Sequence, residues 1–167
     1  MMKRIIPLLT GLLVCLALTV PSAAIAQSSS ILQQESFISA DLSGEDLSGE
    51  TFQLREFSEA NLSNADLSNA DLRGSIFSES VMRNANLHGS DLTFTVFNGA
   101  DFTNADLSDA ILEDAILTRA VFDNTDITGA DFSNAVLDNR QIDQLCETAE
   151  GVNSETGAAT RKSLGCL

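Results

Sequence analysis

The chain has 167 residues, enough for about one domain. Asp and Glu outnumber Lys and Arg by 24 to 9, which gives a net charge of −15. This charge disfavours nucleic acid and anionic lipid as partners, because both would be repelled. Basic proteins or cations fit it better.

Residues 1–26 have the pattern of a cleavable export signal. A basic start is followed by an apolar run from Ile5 to Val20 and by small residues that end in Ala26. A membrane anchor is the alternative interpretation. The apolar run argues against it, because the run is interrupted and falls short of the roughly 20 residues that span a bilayer. Removal of the signal would change the net charge to −17, because it holds two of the basic residues and none of the acidic ones. We expect an exported chain with no membrane contact in its mature form, in which residues 27–36 precede the folded part.

The three cysteines are distributed unevenly. Cys15 lies inside the export signal, whereas Cys146 and Cys166 both lie near the C-terminus. An even pair in an exported chain predicts a disulfide, and two separate thiols are the alternative. A metal site is disfavoured, because the one histidine, His88, is far away in sequence and four ligands are usual.

An apolar residue recurs every five residues from Phe37 to Leu137, at 21 positions without a slip. Two places before it stands Ala, Ser or Thr in every repeat from Ala60 to Ala135. A helix turns by about 500° in five residues, and a strand changes its facing side on every odd step, so neither element buries this pattern. The pattern instead predicts a chain that bends once per repeat. One large and one small residue would point inward, and Asn, Asp, Gly and Ser would form the bends.

A column of large side chains recurs every 20 residues: Phe37, Phe57, Phe77, Phe97, Leu117 and Leu137. Four five-residue sides per coil would stack these side chains directly, whereas three sides would scatter them. The sequence therefore predicts a four-sided, all-β solenoid of about five coils, roughly 25 Å long at about 4.8 Å per coil.

The repeats ADLSN, ANLSN, ADLSD and ADFSN resemble the A(D/N)LXX signature of the pentapeptide-repeat proteins, and the resemblance covers residues 37–139. It implies a right-handed quadrilateral β-helix. The ending QLCETAEGVNSETGAATRKSLGC is also similar to that of small lumenal members from cyanobacteria and chloroplasts. With the export signal, this similarity implies a thylakoid lumen or a bacterial periplasm as the compartment.

Residues 140–167 are expected to cap the C-terminal end of the solenoid, which would otherwise expose its apolar interior. Asp138 and Gln141 form a candidate capping box, and apolar residues at helical spacing follow as far as Gly151. A second short helix is expected at about residues 157–164, tied to the first by the cysteine pair. Members of the resembled family often dimerise through this end, so a capped chain is expected to be a monomer.

The N-terminal coil departs from the small-residue rule, because Glu45, Glu50 and Arg55 occupy the second inward position. Charged groups at an exposed end would discourage the end-to-end stacking of coils. Simple decay of the repeat explains the same residues equally well, and both interpretations stay open.

The residues just before the core positions sort into four faces, and two opposite faces differ in chemistry. One aliphatic face and the bend residues on its adjoining corner form an apolar surface, which we call the docking surface: Ile76, Val96, Ile116, Val136, Leu54 and Phe94. The opposite face carries an acidic ladder, interrupted by Asn86: Asp46, Asp66, Asp106 and Asp126. The aliphatic side chains either pack only on one another as a parallel ladder or dock a protein partner. The acidic ladder is either a solvated face or a weak cation or proton-sensitive site.

The sequence contains no pattern typical of catalysis. His88 falls at a bend with no nucleophile at a recognisable spacing, and no P-loop, dinucleotide or zinc motif occurs. We expect no enzyme activity, no cofactor and no metal. The first hypothesis is an exported structural or protein-interaction module with an unknown protein partner. The alternative is a DNA mimic, since some acidic members of the resembled family inhibit gyrase at its DNA site, although export would place this chain elsewhere.

Overall fold

The chain turns a corner after every five-residue repeat. The computed structural model describes residues 36–166, so the predicted export signal, residues 1–26, lies outside the described residues. Each repeat contributes one outward residue that bridges to the neighbouring coil, one buried core residue and a two-residue turn. A corner every five residues leaves no room for a longer strand, and the bridges therefore consist of single residues.

Parallel bridges join residues 20 apart, from Ser36 and Glu56 at the N-terminal end to Ile116 and Val136 at the C-terminal end. Each contact uses two kinds of hydrogen bond. The core N–H of Phe57 donates to the carbonyl of Ile76 in the next coil at 2.7 Å, and the N–H of Ile76 donates back to Arg55 at 2.9 Å. The backbone polar groups are thus paired without continuous strands, which a buried chain requires.

The column of phenylalanine rings lies on one wall of the interior. The rings of Phe37 and Phe57 stack with centroids 4.5 Å apart, those of Phe57 and Phe77 at 4.6 Å, and those of Phe77 and Phe97 at 5.0 Å. All four rings are buried. Residues 20 apart can stack in this way only if one coil has four five-residue sides. The predicted four-sided all-β solenoid is therefore confirmed, and the small residues of the repeat, such as Ala60 and Ala65, share the buried interior.

The Asp or Asn of the repeat forms the corner. Its side-chain oxygen accepts a hydrogen bond from the N–H two residues later, as Asp66 does from Ser68 at 2.9 Å and Asp106 from Ser108 at 2.8 Å. The residue three places after this Asp or Asn has a positive φ, for example 60° at Asn64, which lies three places after Asn61. Asn, Asp and Gly tolerate this left-handed conformation better than other residues, which explains why they dominate the bends.

Two helices follow the last repeat: α1, Asn139–Thr148, and α2, Thr160–Ser163. The predicted capping box is present at the start of α1. Asp138 Oδ1 accepts from the N–H of Gln141 at 3.0 Å, and Gln141 Oε1 accepts from the N–H of Asp138 at 2.7 Å. No helix within residues 36–166 is both long and apolar enough to cross a membrane.

The second helix is shorter than the expected span of residues 157–164. Val152 and Ala159 form an antiparallel bridge, and the N–H of Asn153 donates to the carbonyl of Ala158 at 2.8 Å. This pairing keeps the backbone extended as far as Ala159, so the helix begins only at Thr160.

Candidate interaction surface

Leu54 and Phe94 lie on the same corner of the rod, two coils apart. Their φ angles are 57° and 60°, and they are 82% and 63% exposed. All other positive-φ residues in the described part of the chain are glycines or carry polar or charged side chains. The left-handed conformation costs roughly 1–2 kcal/mol for a residue with a Cβ, so this corner combines backbone strain with exposed apolar surface.

Gly74 lies between these two residues in the corner column. A Cβ at this position would lie only 2.7 Å from Leu54 Cδ2. The side chain of Leu54 therefore occupies the space that a larger residue would need. The absence of a side chain at Gly74 lets Leu54 lie along the corner toward Phe94.

The aliphatic part of the docking surface is a ladder in which Ile76 bridges to Val96, Val96 to Ile116, and Ile116 to Val136. Ile76 and Val96 are half-buried, whereas Ile116 is 38% and Val136 49% exposed. Part of each side chain is thus buried within the face, and exposure grows toward the C-terminal end. The exposure of this column is less uniform than the sequence pattern indicates.

Charged residues border this surface. Glu56 precedes Ile76 in the aliphatic column, and Asp114 follows Phe94 in the corner column. Arg73 lies between Asp71, at 2.7 Å, and Asp91, at 3.5 Å. The hydrogen bond from Arg73 lowers the pKa of Asp71 to about 2. Since this arginine is already paired with two carboxylates, the border keeps an acidic character.

The acidic ladder follows the opposite face, as the sequence predicts: Asp46 bridges to Asp66, Asp66 to Asn86, Asn86 to Asp106, and Asp106 to Asp126. Each of its aspartates accepts the N–H of the residue two places later. Hydrogen bonds from Ser48 lower the pKa of Asp46. Among residues 36–166 no group of three or more His, Cys, Asp and Glu side chains is arranged to hold a metal ion. Formation of the corners accounts for these carboxylates.

His88 is exposed at a bend, where its Nδ1 lies 2.8 Å from Ser108 Oγ. Neither a carboxylate nor a cysteine is hydrogen-bonded to this imidazole in the described part of the chain. The arrangement contains no base oriented by a third group, which nucleophilic catalysis would need.

Cys146 and Cys166 form the predicted disulfide, with their Cα atoms 5.7 Å apart. The sequence pattern did not single out two further polar residues, Asn153 and Asp131, which the structure buries. Asn153 is buried and donates through Nδ2 to the carbonyls of Asp109 and Ala110 at 3.0 and 3.3 Å. Asp131 occupies an outward position of the repeat but is buried. Thr156 Oγ1 lies over it and donates to Oδ2 at 2.7 Å.

A family model described as pentapeptide repeats matches residues 56–93 and 100–139 with eight copies. A pentapeptide repeat protein from the thylakoid lumen of Arabidopsis thaliana has a solved structure that is 37% identical, covers 80% of this chain and 90% of that chain, and superposes with a TM-score of 0.58. A pentapeptide repeat protein from Nostoc PCC 7120 is 28% identical over 71% of this chain and 86% of that chain, with a TM-score of 0.33. A trypsin-treated variant of QnrB1, a plasmid-mediated fluoroquinolone resistance protein, is 25% identical over 67% of this chain and 84% of that chain, with a TM-score of 0.34. The curated proteins contain no match.

Three observations agree: the five-residue period, the stacked column with a 20-residue step, and the similarity to the Arabidopsis protein over most of both chains. No catalytic family is indicated by these comparisons. The chain belongs to the pentapeptide repeat family, whose fold is the right-handed quadrilateral β-helix.

Proposed function

We propose that this protein is an exported, non-catalytic module that binds a protein partner through the docking surface. Its folded part would be a rod of about five coils, closed at the C-terminal end by residues 140–167. The observation that carries the proposal is the pair Leu54 and Phe94, which are apolar, exposed and held at positive φ. Asn or Gly at either position would relieve the strain and reduce the exposed apolar area.

Contact with a partner offsets both costs. Full burial of a leucine or phenylalanine side chain contributes about 1.5–3 kcal/mol, comparable with the strain at the corner. The half-exposed aliphatic side chains of Ile116 and Val136 extend the apolar contact onto the adjoining face. The corner would anchor the partner, and the face would supply additional contact area.

The charge around the surface specifies the chemistry of the partner. Glu56 and Asp114 border the apolar residues, and the whole chain carries a net charge of −15. The partner is expected to present an apolar protrusion flanked by Lys or Arg, because complementary charge speeds encounter and excludes acidic competitors. A face roughly 25 Å long and 10 Å wide offers about 250 Å², well below the roughly 800 Å² per partner of a stable interface. The complex is therefore expected to be transient or to extend onto a second face.

The proposed compartment is a thylakoid lumen or a bacterial periplasm. Three observations support it: the export pattern in residues 1–26, the pairing of Cys146 with Cys166, and the lumenal origin of the 37% identical relative. Structural disulfides persist in oxidising compartments. Fractionation of the native cells, followed by detection of the processed chain, tests the compartment separately from partner binding.

The binding test compares three forms of the purified protein as bait in crosslinking experiments. The double variant Leu54→Asn/Phe94→Asn places residues at the corner that favour positive φ, so the fold should be retained. Val121→Asn is the matched control, because Val121 is also exposed but lies on another face. Wild type and control should crosslink to the same protein, and the double variant should not.

The captured protein is then purified and its binding measured directly. Binding should weaken as salt is added, because the border is acidic and the partner is expected to be basic. Equal crosslinking of the double variant and wild type would refute the proposed surface. Binding that is independent of salt would refute the proposed chemistry of the partner.

A further inference from the structure

The aliphatic face of the docking surface lacks a hydrogen bond that the opposite face makes in every coil. On the opposite face, the Asp or Asn of each repeat accepts the N–H of the residue two places later, at every level from Asp46 to Asp126. An outward Ile or Val has no oxygen that could do the same. The N–H groups two places after these aliphatic residues therefore have no acceptor among residues 36–166: those of Ser78, Asn98 and Thr118.

These three N–H groups, which we call the open donors, form a column along the rod. They occur 20 residues apart, so they repeat at the coil spacing of about 4.8 Å. Each is directed away from the interior, because its usual acceptor is an outward side chain. The residues that carry the open donors are only half-buried, so a molecule lying on this face can reach them. An occupant that covers the face without supplying acceptors would leave buried donors unpaired, which is costly.

The next level of the same column has an acceptor within the chain. Val136 is again aliphatic, and the N–H of Asp138, two places later, donates to Gln141 Oε1 at 2.7 Å. Gln141 belongs to helix α1. A side-chain amide carried by a helix is thus an acceptor that fits this position of the repeat.

A helix that runs parallel to the rod matches the spacing of the open donors. Helix residues three, four and seven apart are separated along the axis by about 4.5, 6.0 and 10.5 Å, close to one or two coils. A strand directs side chains to one side only every 6.6 Å or so, which does not match. The backbone of this face is also already paired between coils, since Val96 N donates to Ser75 O at 3.0 Å and Val96 O accepts from Phe77 N at 2.7 Å. An added strand would therefore gain few main-chain hydrogen bonds, whereas a helix satisfies its own.

We propose that the partner lays an amphipathic helix along the aliphatic face, and that Gln or Asn side chains at positions i, i+3 and i+7 of this helix accept the open donors. Apolar residues beside them cover Val96 and Ile116 and contact Phe94. Lys or Arg residues on the other edge of the helix face Glu59 and Glu79, which lie at the far corner of the same face; the Glu79 side chain is 63% exposed. This inference rests on the docking surface proposed above and adds the chemistry by which it recognises the partner.

The test uses two double variants that remove the same aliphatic side chains. Val96→Asn/Ile116→Asn introduces residues that accept the N–H two places later, as Asn86 does from His88 at 3.1 Å, so this variant closes two of the open donors. Val96→Ala/Ile116→Ala is the matched control, because it leaves the same donors open.

Amide hydrogen exchange, measured by NMR on the free protein, tests the open donors themselves. In wild type, the amides of Asn98 and Thr118 should exchange much faster than those of Phe97 and Leu117, which donate to the next coil. The Asn variant should slow the exchange of Asn98 and Thr118, and the Ala variant should not. Equal protection of all four amides in wild type would overturn the proposal.

Binding is measured with two synthetic peptides of about 15 residues, long enough to span the face as a helix of about 22 Å. The first carries a stripe of Leu, Gln at i, i+3 and i+7 beside it, and Lys on the far edge; the second has Met in place of each Gln. Replacement of Gln by Met should weaken binding to the Ala variant at least about tenfold and leave binding to the Asn variant almost unchanged. The first peptide should also protect the amides of Ser78, Asn98 and Thr118 in wild type.

Two results would overturn the helix inference. One is failure of the Gln peptide to bind wild type, and the other is an equal effect of the Gln-to-Met change on the Asn and Ala variants. The docking surface is tested separately, by the crosslinking of Leu54→Asn/Phe94→Asn. If that variant loses the partner while the peptides give either overturning result, the docking surface stands and its recognition of a helix does not.

Discussion

Replacement of Phe77 by alanine tests the packing of the rod most directly. This ring is 0% exposed and lies in the middle of the stacked column, 4.6 Å from Phe57 and 5.0 Å from Phe97. Truncation of a buried phenylalanine costs about 3–5 kcal/mol, which includes the lost stacking on both sides. Against a total stability of about 5–15 kcal/mol, Phe77→Ala should leave the rod marginally stable.

Phe94→Ala is the matched control, because it removes the same atoms from a side chain that is 63% exposed. Its free energy of unfolding should stay within about 0.5 kcal/mol of wild type. Both variants are unfolded in urea at equilibrium and followed by circular dichroism. Because a solenoid can lose individual coils, hydrogen exchange is measured as well, and protection should fall first in the coils that contain Phe57 and Phe97.

The relative stabilities of Phe77→Ala and Phe94→Ala can also refute a packed phenylalanine column. If Phe77→Ala and Phe94→Ala lower the free energy of unfolding equally, or if Phe77→Ala lowers it by less than about 1 kcal/mol, the column does not form a packed core. The energetics of the core would then give no support to four sides per coil.

Three further predictions concern single residues. Gly151→Ala should destabilise the C-terminal segment strongly, because the new Cβ would lie 2.7 Å from Gly129 N. Gly44→Ala is the control, because no atom lies within 4 Å of its new Cβ and only backbone strain is added. Hydrogen exchange should show loss of protection in the C-terminal segment for Gly151→Ala alone. Gln141→Ala should lower the free energy of unfolding by about 2 kcal/mol, measured in urea, because it removes half of the capping box and leaves the carbonyl of Ala120 without a donor. Asp71 has its pKa lowered from 3.8 to about 2, so its stabilisation is complete above pH 4 and is lost as the pH falls toward 2. Acid titration of Asp71→Asn should lack this part of the loss, and an unchanged acid profile would contradict the assignment.

The rod could be predicted from the sequence because each repeat determines both its own conformation and its contacts with the neighbouring coils. The Asp or Asn that starts a repeat forms its own corner, and the apolar residue after it fills the interior one coil at a time. The parallel bridges between coils join residues 20 apart, so the period of the sequence specifies the packing partner. The corner positions of Leu54 and Phe94 followed from the same register.

The C-terminal segment was harder to predict, because its contacts have no period. Asn153 reaches the carbonyl of Asp109, 44 residues earlier, and no local pattern indicates that pairing. Asp131 follows the outward rule of the repeat, and Thr156 buries it only through tertiary packing. The expected second helix was too long for a similar reason, since the bridge between Val152 and Ala159 overrides local helical preference.

The 20-residue step between coils also determines the order in which the rod can form. Each new coil needs only the previous one as a template, and the loop to be closed stays at about 20 residues, so its entropy cost does not grow as the rod lengthens. The coils can therefore fold in order as the chain emerges, the N-terminal coil first, without waiting for distant segments. Residues 138–166 are synthesised after the repeats, so the newest coil of the growing rod stays uncovered until they arrive. Unfinished chains can therefore associate through this uncovered end while they are being made, and slow synthesis of residues 138–166 would prolong its exposure.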